Sequence, residues 1–112
     1  MDKADLAHFA ALIRDRLSRI EAEDRLGQDG RAIVRLDQQS VGRLSRMDAL
    51  QNQAMAKAQQ ARRGAEAHRL RAALGRIASG EFGLCEDCGE RIAKRRLDLN
   101  PAVTMCISCA SG

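Results

Sequence analysis

Bulky ring side chains are almost missing from this 112-residue chain, which has two phenylalanines, no tryptophan and no tyrosine. So little aromatic volume makes a globular core hard to fill and favours an elongated or stapled architecture. Proline is as scarce. Pro101 is the single one, so residues 1–100 hold no proline to break a helix, in a composition rich in Ala, Leu, Arg, Gln and Glu. Runs of 18 or more apolar residues are also lacking, which excludes a membrane-spanning helix. The opening MDKADLAHFA has neither the charged head nor the apolar stretch of a signal peptide. A cytoplasmic protein with no membrane partner is expected.

The formal charge of +4 is uneven, with 15 Lys/Arg against 10 Asp/Glu in residues 1–80 and 4 against 5 in residues 81–112. A basic surface is the footprint of nucleic-acid binding. Here, however, the arginines of the first segment alternate with acids as on a solvated helix face.

Residues 4–26 place Leu6, Phe9, Ile13, Leu17 and Ile20 at steps of 3 and 4, an apolar stripe along one helix. Asp2 and Asp5 stand where a cap or dipole partner helps, and Gly27 is the expected stop. From Gly27 to about Gly42 the helical period lapses, which predicts a turn with extended or irregular backbone. Residues 44–79 resume it, with Leu44, Met47, Leu50, Ala54, Ala58, Ala61 and Ala65 in one shallow stripe and Leu70, Leu74 and Ile77 beyond. Met47 and Met55 are expected to pack in the seam. At about 1.5 Å per residue the two helices are roughly 35 and 54 Å long. Neither stripe is buried alone, so they pair. The expected fold is mainly all-α, an antiparallel two-helix coiled-coil hairpin over residues 1–80 with a tip segment at about 27–48.

Gly80 ends the second helix, and residues 81–112 are too few for an apolar core of their own, so they need a staple. Cys85 and Cys88 form one C-x2-C pair and Cys106 and Cys109 another, 17 residues apart. Each pair can supply two sulfurs from a tight turn, the pattern of a tetrahedral zinc site. Gly89 suits a turn of positive φ, Asn100-Pro101 interrupts the intervening segment, and Ala110 stands where a second glycine would. Two disulfides are the alternative that an even count permits. Four thiolates would close the zinc shell, so the ion is expected to be structural, in a small four-cysteine finger over residues 81–112. His8 and His68 are assigned no role. Lys94, Arg95 and Arg96 either contact phosphate or, with Arg91, balance a negative zinc centre.

The segment EFGLCEDCGERIAKRRLDLNPAVTMCISC resembles the zinc finger of the DksA/TraR family of bacterial transcription regulators. The likeness covers Phe82-Gly83, both cysteine pairs and their spacing, Arg96-Leu97 and Pro101-Ala102. The long helices before it agree with that family's hairpin.

The resemblance implies a protein that is not an enzyme and does not recognise a promoter sequence. It would bind RNA polymerase directly through the secondary channel and modulate initiation. In the family, guanosine tetraphosphate (ppGpp), the signal of the stringent response, works together with the longer members, whereas some short members act without it. The longer members carry an acidic DxxDxA motif at the tip and a further helix after the finger. The tip segment carries no such motif, and three residues follow Cys109. The segment LDQQSVGRLSRMDA is most like the shorter members. Within it Asp37 and Asp48 are the acids placed to replace the missing pair, and Arg43, Ser45 and Arg46 are candidates for polymerase contact. Capping and turn chemistry by Asp37, Ser40 or Ser45 is the competing reading. A zinc-stapled nucleic-acid-binding protein and a structural coiled-coil module are the other readings.

Overall fold

The computed structural model describes residues 1–37 and 43–111, with the side chains of all of these except 28–37 and 43–45. Four helices follow in order, α1 (Lys3–Asp37), α2 (Arg43–Ser79), α3 (Lys94–Leu99) and α4 (Ile107–Ser111). Among the described residues no strand forms, and one antiparallel bridge joins Leu84 to Arg91. The architecture is the expected coiled-coil hairpin followed by a small finger.

Asp2 caps α1, its Oδ1 accepting the Asp5 N–H at 2.8 Å. The helix does not stop at Gly27. It runs ten residues further to Asp37, through Gly27 and Gly30, which corrects the turn expected there. Each glycine costs about 1 kcal/mol in a helix interior, too little to end a helix that is already nucleated and meets no proline. The end of α2 is as read. Gly80, at φ +80°, donates to the Ile77 carbonyl at 3.3 Å, while Glu81 donates to that of Arg76 at 2.9 Å, the Schellman pattern that left-handed glycine permits.

The seam follows a heptad. On α1 the residues withdrawn from solvent include Leu6, Ala10, Ile13, Leu17, Ile20, Asp24 and Gly27, in steps of 4 and 3. On α2 they include Ala49, Gln53, Ala56, Arg63, Ala67, Leu70, Leu74 and Ile77. Leu70, Leu74 and Ile77 stand as expected, but the stripe read upstream of them is out of phase. Met47, Leu50, Ala54, Ala58, Ala61 and Ala65 are all exposed, Met47 by 56% and Met55 by 61%, so neither methionine packs in the seam. The heptad extended back from Leu70 selects Arg63, Ala56 and Ala49, none of which has an apolar side chain large enough to announce itself.

The chain divides into two compact units, residues 18–66 and residues 1–17 with 67–112. In the first, Ile20 is buried and Arg63 Nε donates to Asp24 Oδ1 at 2.7 Å, with the two side chains 17% and 34% exposed. A half-buried ion pair at matched heptad positions fixes register more than it stabilises. In the second, Phe9, Ile13, Leu70, Ala73, Phe82, Ile92 and Leu97 are buried, and the Phe9 and Phe82 rings meet at 5.5 Å. Each large member contributes about 1.5–3 kcal/mol. Residues of the finger thus share a core with the helix ends beside it.

Asp24→Ala is expected to destabilise the first unit by about 1 kcal/mol, a modest figure because a third of Asp24 is in water. Replacing Asp24 and Arg63 together by Leu is expected to leave the melting temperature unchanged or raised. Thermal melts followed by helical circular dichroism check both; a double variant melting below the single one would refute the register role.

Candidate zinc centre

Local backbone rules bring the two cysteine pairs into place. After Cys85 and Cys88 the chain reverses at Gly89, whose φ of +76° lets its N–H donate to the Cys85 carbonyl at 3.0 Å. The Cys85 N–H donates in turn to Glu90 at 2.8 Å. The second pair turns differently. Cys109 and Ala110 lie in α4, and the Ala110 N–H donates to the Cys106 carbonyl at 2.9 Å, a helical bond for which no positive φ is needed. Between the pairs, α3 ends at Leu99 because Asn100, before Pro101, is held extended at φ −148°, ψ 92°. Asn100 Oδ1 accepts the Ala102 N–H at 3.2 Å and so sets the chain towards Cys106.

All four sulfurs lie within 4.8 Å of one another. Cys88 Sγ and Cys106 Sγ are 3.7 Å apart. A disulfide requires about 2.05 Å, whereas a tetrahedron with zinc–sulfur bonds of about 2.3 Å has edges of about 3.8 Å. The four cysteines are free and positioned to hold one zinc ion with a closed, structural shell. Cys85 is buried at 3% exposure, Cys88 is exposed, and Cys106 and Cys109 lie between.

Electrostatics favour a cation there. The backbone N–H of Cys88, then that of Cys106, holds the Cys85 thiol down to about 6. Its neighbours cannot all follow. The Cys106, Cys85 and Cys88 sulfurs, in that order, and then burial push Cys109 up. For Cys88 the Glu90 N–H and the Cys109 sulfur favour the thiolate, but partial desolvation and the Cys85 and Cys106 sulfurs outweigh them and its thiol is raised. Four thiolates coexist here when a divalent cation offsets their repulsion.

The finger is tied to α1 by polar contacts. Lys94 Nζ pairs with Asp5 at 2.7 Å, His8 Nε2 meets Asp98 Oδ1 at 2.7 Å, and Arg16 donates to the Leu99 carbonyl at 2.9 Å. The Lys94 ammonium beside it holds the Asp5 carboxyl below its ordinary 3.8, and Asp5 raises Lys94 above 10.5. The pair therefore contributes between those values, fading as pH falls below the first or rises above the second. His8, given no role from sequence, is a finger contact. Spacing with Asp5, Phe9 and Arg16 along one face of α1 was its available signal. His68 is exposed. Of the basic triplet, Lys94 and Arg96 have intramolecular partners and Arg95 is exposed.

A cavity of about 430 Å³ opens nearby, lined by Arg69, Arg76, Arg96, Asn100, Thr104 and Met105 among others. Arg76 Nη2 is buried with no hydrogen-bond partner. Of the tip candidates, Arg46 and Asp48 are exposed in the first turns of α2. Asp37 is the last residue of α1, Arg43 and Ser45 begin α2, and their side chains lie outside the described residues.

Residues 80–112 match the family of prokaryotic dksA/traR C4-type zinc fingers. A 41-residue stretch is 39% identical to the RNA polymerase-binding transcription factor DksA of Haemophilus influenzae, covering 37% of this chain and 28% of that relative. The solved structure of transcription factor DksA2 from Pseudomonas aeruginosa superposes with a TM-score of 0.88 at 22% identity, over 99% of this chain and 84% of that one. That likeness establishes the fold.

Metal analysis of protein purified under reducing conditions is expected to give one zinc per chain. Chelation should release the hydrogen-exchange protection of the Cys85, Glu86 and Gly89 amides while most of the helical dichroism persists. Cys85→Ser should cost more zinc affinity than Cys88→Ser, since Cys85 is the buried ligand candidate. Zinc retention should fall on acidification, because protons compete for the thiolates. Retention indifferent to pH would contradict the assignment.

Proposed function

We propose that the whole protein is a transcription regulator of the DksA/TraR type that binds RNA polymerase directly through the secondary channel, on the footing that residues 80–112 match the prokaryotic dksA/traR C4-type zinc fingers. One observation carries this reading. The matched finger adjoins paired helices of 35 and 37 residues whose fold is that of a DksA protein. The match spans 28% of the length of the Haemophilus influenzae relative, an RNA polymerase-binding factor, and that likeness supports the same partner here. No helix among the described residues is long and apolar enough to cross a membrane, and a cytoplasmic site of action accords with the proposal.

In this reading residues 1–80 are the helical arm, with its tip at about 27–48, and residues 81–112 the finger. Cys85, Cys88, Cys106 and Cys109 are the zinc ligands. The ion is structural and the protein modulates the polymerase without a catalytic role of its own. Asp37, Arg43, Ser45, Arg46 and Asp48 act at the tip. The cationic cavity supports ppGpp as a second partner. Its orphaned Arg76 nitrogen, with Arg69 and Arg96, offers donors suited to phosphate oxygens.

A second reading, a coiled-coil module that associates with its own kind, draws on the exposed Met47, Leu50 and Met55 of α2. Sedimentation equilibrium separates the two. A monomer that co-purifies with polymerase supports the first, and a dimer without affinity for polymerase supports the second.

Asp48→Asn and Arg46→Ala are expected to leave polymerase affinity within about threefold, under roughly 1 kcal/mol, while weakening the effect on initiation in vitro much more. Arg76→Ala is expected to remove dependence on ppGpp and spare the effect seen without it. If Asp48→Asn regulates as wild type while Arg46→Ala is inert, the tip works through cations.

A further inference from the structure

The second cysteine pair is framed differently from the first. The first sits on a reversal closed by the Cys85–Glu90 and Cys85–Gly89 backbone bonds, with the Ile92 N–H donating to Gly83 at 2.8 Å behind it. The chain leading into Cys106 is Val103-Thr104-Met105, outside any helix. The Val103 N–H donates to the Asn100 carbonyl at 3.2 Å, and two contacts hold residues 104 and 105. The Glu86 N–H donates to the Thr104 carbonyl at 2.9 Å, and Arg96 Nε donates to the Met105 carbonyl at 3.1 Å.

We propose that Arg96 is a positioning residue for the zinc site, aiming Cys106, and through it Cys109, by holding the carbonyl that immediately precedes Cys106. The arginine can do this because it is itself anchored. Its own N–H donates to Ala93 at 3.0 Å, its carbonyl accepts from Asn100 at 3.0 Å, and the next residue, Leu97, is fully buried. A fixed path therefore runs from the apolar core through α3 and one side-chain bond to the peptide carrying a ligand. A donor that orients the frame of a metal ligand is commonly worth 10–100-fold in metal affinity. Arg96 also brings a positive charge towards a centre whose four thiolates leave it at about −2 with zinc bound. Bond and charge make different predictions. In Arg96→Gln the amide nitrogen lies the same number of bonds from the backbone as Nε and carries no charge. In Arg96→Lys the charge remains and the donor lies one atom further out.

The test needs zinc and the intact chain alone, so it stands or falls apart from the polymerase reading. Zinc loss to a chromophoric chelator is measured for the wild type, Arg96→Ala, Arg96→Gln, Arg96→Lys and Arg95→Ala, with alkylation of each cysteine mapped by mass spectrometry as the metal leaves. Expected are an affinity about 10–100-fold lower in Arg96→Ala, with Cys106 and Cys109 alkylated before Cys85 and Cys88. Arg96→Gln should recover most of the loss, Arg96→Lys little, and Arg95→Ala should match the wild type. Wild-type retention in Arg96→Ala overturns the proposal. So does recovery by Arg96→Lys but not Arg96→Gln, which would leave charge as the cause, and so does equal alkylation of all four cysteines, which would mean general loosening.

Discussion

Four sulfurs held within 4.8 Å of one another are the constraint on which the finger depends. As thiols they pack poorly, and as thiolates they repel, so the site is stable chiefly as a cation's shell. Each sulfur's place is set by the cheapest local device available. One pair uses a glycine in the left-handed region, while the other uses the opening of a short helix, and so Ala110 needs no such freedom. Core burial of Phe82, Ile92 and Leu97 then joins the finger to the ends of α1 and α2. Neither contribution suffices alone in a tail this short.

Much of this was legible because it rests on local chemistry. The C-x2-C pairs, the glycine after the first, the Asn-Pro break and the glycine stop of α2 each follow from what one or two residues permit in the backbone. The stripe of α1 was legible too, its Phe and Ile side chains being large enough to mark the buried face. Chemistry that depends on partners distant in sequence was not. Nothing near His8 points to Asp98, ninety residues on, and nothing near Arg96 declares that it holds the Met105 carbonyl.

The two misreadings have a common physical origin. Gly27 and Gly30 looked like punctuation, yet a helix already formed tolerates a penalty of about 1 kcal/mol per glycine. In α2 the eye follows Met and Leu, whereas the seam is set by the heptad phase of Leu70, Leu74 and Ile77 carried back along a rigid rod. Once that phase is fixed, Ala56, Gln53 and Ala49 face inward whatever their size, and the larger apolar residues face water.

This inversion has an energetic consequence. Ile20 is buried between residues 18 and 66, but the α2 positions inside that seam are small or polar, so apolar burial contributes little there and the Asp24–Arg63 pair matters more for alignment than for strength. Meanwhile Leu26, Met47, Leu50 and Met55 remain in solvent. A unit assembled this way keeps little stability for itself and leaves its larger apolar side chains free to be covered by something else. Methionine is well suited to that role, since its unbranched, polarizable side chain adapts to a surface it does not match in advance. In the unit that holds the cysteines, Phe82, Ile92 and Leu97 are turned inward, while Leu84, Leu99 and Ile107 stay in solvent. Burial thus secures one unit through a few large side chains, while the other relies on Ile20, small residues and an ion pair, and each leaves apolar side chains in solvent.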